Sequence, residues 1–316
     1  MKKGFVLGVT TLVLLSSSHL YANEMEVSGH ANIWTTLSNS DDAAKEGESK
    51  TQAEIDFKKT MGQTTLQLDI DFNGNTGAVG TATPITPVTL EQAKFVRGFS
   101  DNMLFTGGIF NTPIGFELQD APDKIQFSLG QIAFLHPANV TGFMWSWWRG
   151  PATLDLYVAN EWRDQALSPT RYDNSFGGKL TFQLQDIAHI EVGYITSTRM
   201  PTSVLPNDQG DVLDIVISTK KINHAWLAYE YAVDEYNNAW GITANLTHTK
   251  HGVTLRYDSV KNDTNNTNDT SLTVALTCAV MEHIGAVLEW RQDDDHGHGK
   301  SMDKTDKVTL QWVAQF

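Results

Sequence analysis

From residue 25 to the carboxyl terminus, apolar and polar residues alternate in short runs, broken by connections that are tight, then long, then tight again. The last run is the cleanest. Val308, Leu310, Trp312, Ala314 and Phe316 share one face, and Thr309, Gln311 and Gln315 share the other. A period of two is that of a β-strand with one greasy and one wet side. Sixteen such runs can be marked, at 25–37, 51–60, 63–72, 88–98, 102–110, 140–148, 152–160, 174–185, 187–197, 211–220, 223–233, 238–249, 252–260, 271–280, 283–291 and 306–316. Tight connections fall at 60–63, 99–102, 149–151, 185–186, 221–223, 250–251 and 281–282. Longer polar ones fall at 38–50, 73–87, 111–139, 161–173, 197–210, 261–270 and 292–305, with 234–237 a brief exception.

This rhythm predicts an all-β chain folded as an antiparallel transmembrane β-barrel of about sixteen strands, with short turns on one rim and long loops on the other. An even strand count puts both termini on the short-turn rim. A soluble sandwich also has many short strands, but it has no reason to alternate loop length. Parity alone does not say which face looks outward. In a membrane barrel, Leu66, Leu68, Ile70 and Phe72 would meet lipid and Asp69 and Asp71 the lumen; in a soluble barrel the two sets would exchange places. Aromatic residues help: Phe72, Phe176, Tyr194, Tyr229, Tyr257 and Trp290 gather toward one rim, and Phe57, Phe95, Trp147, Phe182 and Phe316 toward the other. Two such belts are expected at the two interfaces of a bilayer.

The amino terminus adds location. Lys2 and Lys3 precede an apolar stretch from Phe5 to Leu15, followed by small residues up to Ala22. That is the layout of an export leader, so residues 1–22 are expected to be a signal peptide and 23–316 the barrel. No later apolar run reaches the ~18 residues of a membrane helix. The formal charge of −14 speaks against a nucleic-acid partner. Cys278 stands alone and shares parity with Leu272, Val274 and Leu276, as a lipid-facing side chain would.

The connection 111–139 is the longest in the chain and the richest in unusual chemistry. Pro113, Pro122 and Pro137 prevent continuous strand pairing. Ile114, Phe116, Ile125, Phe127, Leu129, Ile132, Phe134 and Leu135 do not suit a solvated loop. Such a segment is better satisfied folded into the barrel, narrowing it, with a short helix expected at 126–134. A surface lid is the alternative. Around it, Leu90-Glu91-Gln92-Ala93-Lys94, Asn102–Phe110, Asn111-Thr112-Pro113-Ile114-Gly115-Phe116-Glu117 and Asp120-Ala121-Pro122 follow closely, then His136-Pro137 and Thr141-Gly142. Over roughly 88–160 this resembles the OmpL-like β-barrel porin family of Gram-negative outer membranes. The resemblance implies an outer-membrane pore for small hydrophilic solutes.

Sixteen strands leave room for water inside. Pore-lining or constriction candidates are Asp69, Asp71, Lys94, Glu117, Asp120, Asp123, Asp155, Lys179, Glu191, Glu230, Arg256, Glu289 and Arg291. Acids outnumber bases among the inward positions, which predicts a weak preference for cations. A closed structural or adhesive barrel is the competing reading. The cluster Asp293-Asp294-Asp295-His296-Gly297-His298 contains metal-binding residue types. Its glycine leaves His296 and His298 unorganised, so a solvated outer loop is expected there and no metal or cofactor. Lys300, Lys304 and Lys307 beside it suit lipopolysaccharide phosphates. No nucleophile elbow, zinc-protease helix or phosphate-cradling loop occurs, so no enzyme is expected. The final strand, ending on Phe316, resembles the signal read by the barrel-assembly machinery. Open at this level are the solute and whether three barrels associate as a homotrimer.

Overall fold

The computed structural model describes residues 25–40, 43–76, 88–117, 124–160, 174–185, 187–196, 211–220, 224–263, 266–295 and 303–316. The expected leader lies outside them. Sixteen strands occur among these residues: β1 (Glu26–Ser40), β2 (Ala43–Met61), β3 (Thr64–Thr76), β4 (Thr89–Ser100), β5 (Met103–Asn111), β6 (Asn139–Arg149), β7 (Ala152–Asn160), β8 (Asn174–Leu184), β9 (Ala188–Ile195), β10 (Val212–Thr219), β11 (Ala225–Val233), β12 (Asn237–His248), β13 (His251–Asn262), β14 (Thr267–Met281), β15 (Ile284–Asp295) and β16 (Asp303–Gln315). Each strand pairs antiparallel with its sequence neighbours, and β1 pairs with β16 to close the barrel. Closure leaves no edge of unpaired backbone groups, the condition for a sheet to stand in hydrocarbon.

Burial settles the inversion that parity leaves open. Leu66, Leu68, Leu154, Leu156, Leu180, Phe182, Val192 and Tyr194 are exposed on the outside, whereas Asp69, Asp155, Glu230, Arg256, Thr273, Glu289 and Gln311 are buried within. An apolar exterior around a polar interior is stable only with lipid outside. Phe72, Phe176, Tyr194, Tyr229, Trp240 and Tyr257 are exposed toward the rim of long connections, and Phe99, Trp145, Phe182, Trp312 and Phe316 toward the other.

The closing seam is tight. The Gly29 N–H donates to the Phe316 carbonyl at 3.3 Å, and the Phe316 N–H donates to the Gly29 carbonyl at 3.1 Å. A Cβ on Gly29 would collide with the Glu54 backbone carbonyl of β2 and stand 2.7 Å from Phe316 Cζ, so glycine is what lets both the neighbouring strand and the terminal ring lie this close.

Several expected loops turn out to be wall. Most of the polar stretch 38–50 is strand, with Thr35 and Ser49 hydrogen-bonded across β1 and β2 at 2.9 Å. Likewise β13 reaches Asn262, β14 begins at Thr267, β15 runs to Asp295 and β3 to Thr76. The reason is that alternation marks a strand only where one face is apolar. Beyond the bilayer both faces meet water, and the ladder continues through Ser, Thr, Asn and Glu without that signal. The brief turn at 234–237 is held by Asp234, whose Oδ1 accepts from the N–H groups of Tyr236 at 2.8 Å and Asn237 at 2.7 Å.

Candidate functional site

The connection between β5 and β6 folds inward. Its neck is closed by the Thr112 N–H donating to the Ala138 carbonyl at 2.8 Å, and by the Thr112 hydroxyl on the Pro137 carbonyl. Near its root, Ile114 is buried with Phe110, Val140, Tyr157, Ile195 and Val212. Further along, Ile132 and Leu135 pack on Ala232 and Ala239, with Val260 against them. The far wall receives the remainder: Phe116 meets Trp226 on β11 at 5.6 Å between ring centres, and Phe127 meets Trp34 on β1 at 5.5 Å. A loop that starts at β5 and touches β1, β13 and β15 crosses the bore.

Small inward residues make room for it. A Cβ on Gly193 would press on Ile114, and one on Gly241 on Ile132 and Asp258. These positions, with Ala232 and Ala239, occupy the polar face of their strands. Small residues there were the signal for a docked loop, and polar–apolar counting passes over them.

Arg256 is the hub. Its Nη1 donates to Glu117 Oε1 at 2.6 Å and to the Ser128 carbonyl at 2.7 Å. Nη2 reaches Ser128 Oγ at 3.0 Å, the Leu129 carbonyl at 3.1 Å and Thr273 Oγ1 at 3.1 Å, and Nε ion-pairs with Asp258 at 2.9 Å. Glu117 also accepts from Gln126 Nε2 at 2.6 Å and from the Gly130 N–H. Glu289 takes the N–H groups of Phe127 at 2.8 Å and Ser128 at 3.1 Å, while Arg291 donates to the Leu129 carbonyl at 2.6 Å and to Asp293 at 2.6 Å. These contacts explain why the expected helix at 126–134 is reduced to one 3-10 turn, Ile132–Phe134. Backbone groups from 127 to 130 are engaged by wall and loop side chains and cannot form the helical i to i−4 ladder.

Apart from Glu230, the predicted pore residues among those described fall into three groups. Glu117, Arg256, Glu289 and Arg291 hold the loop. Asp155, Lys179 and Glu191 form a ladder on β7–β9, where Asp155 and Lys179 face each other in register and Lys179 donates to Glu191 at 2.9 Å. Asp69, Asp71 and Lys94 lie on β3 and β4. There the register sets Glu54 opposite Asp71 and Asp56 opposite Asp69. Gln52 donates to Asp71 at 3.1 Å, Gln67 to Asp69 at 2.8 Å and Lys94 to Gln92 at 2.6 Å. Glu54 and Asp69 are buried; Asp56 and Asp71 are partly exposed. Asp120, Asp123, His296 and His298 lie outside the described residues.

Glu230 belongs to a further cluster. It accepts the Phe116 N–H at 3.1 Å and stands 3.9 Å from His136 Nε2, with Asp214 beside it. Sequence reading placed Glu230 in the lumen but gave no role to His136 beyond the family-like motif. Gly115, with φ of 95°, is what admits the imidazole: a Cβ there would occupy the His136 ring. Burial pushes the His136 imidazole below its ordinary value, against the pull of Asp214 and Glu117.

A closed sixteen-strand barrel with a greasy outside, a polar inside and a loop folded into the bore is the architecture of an outer-membrane porin. The chain matches the model of the family described as Putative beta-barrel porin-2, OmpL-like, over residues 49–310, and it belongs to that family. Its place is the bacterial outer membrane, and family and fold are those of channels rather than enzymes. No curated protein matches the chain significantly. Among solved structures it is similar to the outer membrane channel DcaP of Acinetobacter baumannii, with a TM-score of 0.64 at 13% identity, covering 93% of this chain and 97% of that one. It is also similar to a loop-deletion mutant of the outer membrane protein OmpT of Vibrio cholerae (TM-score 0.59, 12% identity, 92% and 99% covered). A mutant porin of Rh. blastica gives a TM-score of 0.58 at 11% identity, with 93% and 100% covered. At such identities the likeness is one of fold.

Proposed function

We propose that the barrel is a water-filled diffusion channel for small hydrophilic solutes with a weak preference for cations. The observation that carries the preference is the acidic face of β2 and β3, where Glu54 opposes Asp71 and Asp56 opposes Asp69. Like charges directly opposite across a sheet destabilise it. Two adjacent pairs of this kind on the inner wall create a negative field that concentrates cations. On the loop-bearing wall, Arg256 and Arg291 are held by Glu117, Asp258 and Asp293 and offer anions little free positive charge. Asp155, Lys179 and Glu191 line the passage with acids in excess of bases.

The test is the reversal potential of the folded barrel in a planar bilayer under a potassium chloride gradient. Cation preference is expected, with the double variant Asp56→Asn, Asp71→Asn shifting the potential toward zero. Anion preference in the unsubstituted barrel would overturn the selectivity. The dense anchoring of the loop favours a second reading, a non-conducting structural or adhesive barrel. Liposome swelling separates the two: solute flux supports the channel, and its absence from correctly folded protein supports the structural role. In the same reading residues 1–22 are removed on export, the barrel-assembly machinery recognises the strand ending at Phe316, and lipopolysaccharide and other outer-membrane lipid surround the wall.

A further inference from the structure

The cluster of His136, Asp214 and Glu230 does no work in the conduction reading. It joins three elements: His136 from the inward loop, Asp214 from β10 and Glu230 from β11. One donor atom from each lies within 4.8 Å of the other two. All three residues are buried, at 6%, 2% and 7% exposure. The imidazole Nε2 has no hydrogen-bond partner. Asp214 Oδ2 has none either. Two carboxylates and a lone imidazole nitrogen gathered away from water are costly unless a proton or a cation neutralises them.

The details favour a cation. A metal-binding histidine offers one ring nitrogen to the ion, and His136 Nε2, without a hydrogen-bond partner, faces Glu230 at 3.9 Å. One imidazole with two carboxylates is a ligand set that suits zinc and related first-row ions, with a position left for water. Glu230 is oriented by the Phe116 N–H, and His136 is seated against Gly115, so the ligands are held in place by the loop itself.

We propose that His136, Asp214 and Glu230 bind a first-row divalent cation, zinc fitting best, and that this ion latches the constriction loop to the barrel wall. Such a latch couples loop position to metal supply. The site concerns binding, so its test stands apart from whether the barrel conducts.

The experiment is zinc titration of tag-free, chelator-stripped, folded barrel in detergent, followed by calorimetry. Saturable binding of one zinc per chain is expected. His136→Ala and the double variant Asp214→Asn, Glu230→Gln should each weaken it by at least about 10-fold, by comparison with the loss seen for supporting residues of known sites. Variants are first checked for the heat-modifiable mobility of a folded barrel. His296→Ala, His298→Ala removes the two histidines between β15 and β16 in sequence and should leave binding unchanged. Should the cluster variants fail to fold, copper-loaded unsubstituted protein decides: electron spin echo spectra should show a single imidazole nitrogen ligand set that survives His296→Ala, His298→Ala. Absence of saturable zinc binding, or its loss with the His296→Ala, His298→Ala pair, would overturn the proposal and leave a shared proton as what neutralises the carboxylates.

Discussion

Arg256 shows what one side chain can carry in this bore. Its side chain is 1% exposed and faces Glu117 and Asp258, so removing its charge strands two buried carboxylates. Breaking a buried pair from one side costs about 3–5 kcal/mol. Arg256→Met is expected to lower the unfolding midpoint of the detergent-folded barrel accordingly, read by denaturant-dependent loss of the heat-modifiable band. Arg256→Lys should not rescue it, because one ammonium cannot reach Glu117, Asp258, Ser128, Leu129 and Thr273 together. A variant as stable as the parent would show that the network contributes little. Gly115→Ala acts at the same scale by another route. At φ of 95°, with the imidazole where a methyl would stand, the substitution is strained by roughly 1–3 kcal/mol. It should displace His136 and weaken zinc binding, which the same calorimetry measures. Parity was enough to aim Arg256 and Glu230 inward. It could not pair them with Glu117 and Phe116, which are more than a hundred positions away and sit on a segment with no period.

At the scale of elements, the strands were legible because each had to be greasy on one side for lipid. Their upper extensions were not, since Ala43–Lys50 and Thr267–Thr270 pair with no apolar face to betray them. The loop was legible as an inward segment from its prolines and stranded apolar residues. Its conformation was not, because side chains of β13 and β15 decide it. Glu289 tests that dependence. Glu289→Gln weakens the charge-assisted hydrogen bonds from Phe127 and Ser128, and freer loop motion should appear as increased current noise and more frequent subconductance steps in single-channel records. A quiet, unaltered trace would mean that the Arg256 contacts suffice to hold the tip. The seam between β1 and β16 makes a separate prediction. Phe316→Ala removes the ring that fills the space over Gly29. Outer-membrane levels of the protein in cells should fall more than the stability of barrel refolded in detergent, because the proposed recognition of this strand during assembly would be lost as well as packing.

For the whole molecule, the balance of 37 acids against 23 bases becomes an electrostatic statement only once the fold sorts them. On the loop-bearing half, acids and bases meet: Glu117 with Arg256, Asp293 with Arg291 and Lys307, Glu191 with Lys179. On β2 and β3 the acids oppose each other, with His30 3.8 Å from Glu54 and Lys94 2.6 Å from Gln92 beside them. Bases are thus set among the acids where the loop docks, whereas on β2 and β3 acid faces acid. Ionic strength follows directly. Asp56 and Asp71 are partly exposed, so their field is screened as the Debye length falls from about 10 Å at 0.1 M salt to about 3 Å at 1 M. The potassium-to-chloride permeability ratio is expected to drop toward unity across that range, and Asp56→Asn, Asp71→Asn should flatten the dependence. If the ratio instead stays constant with salt, selectivity comes from desolvated contacts in the loop constriction, and the acidic face of β2 and β3 is not its source.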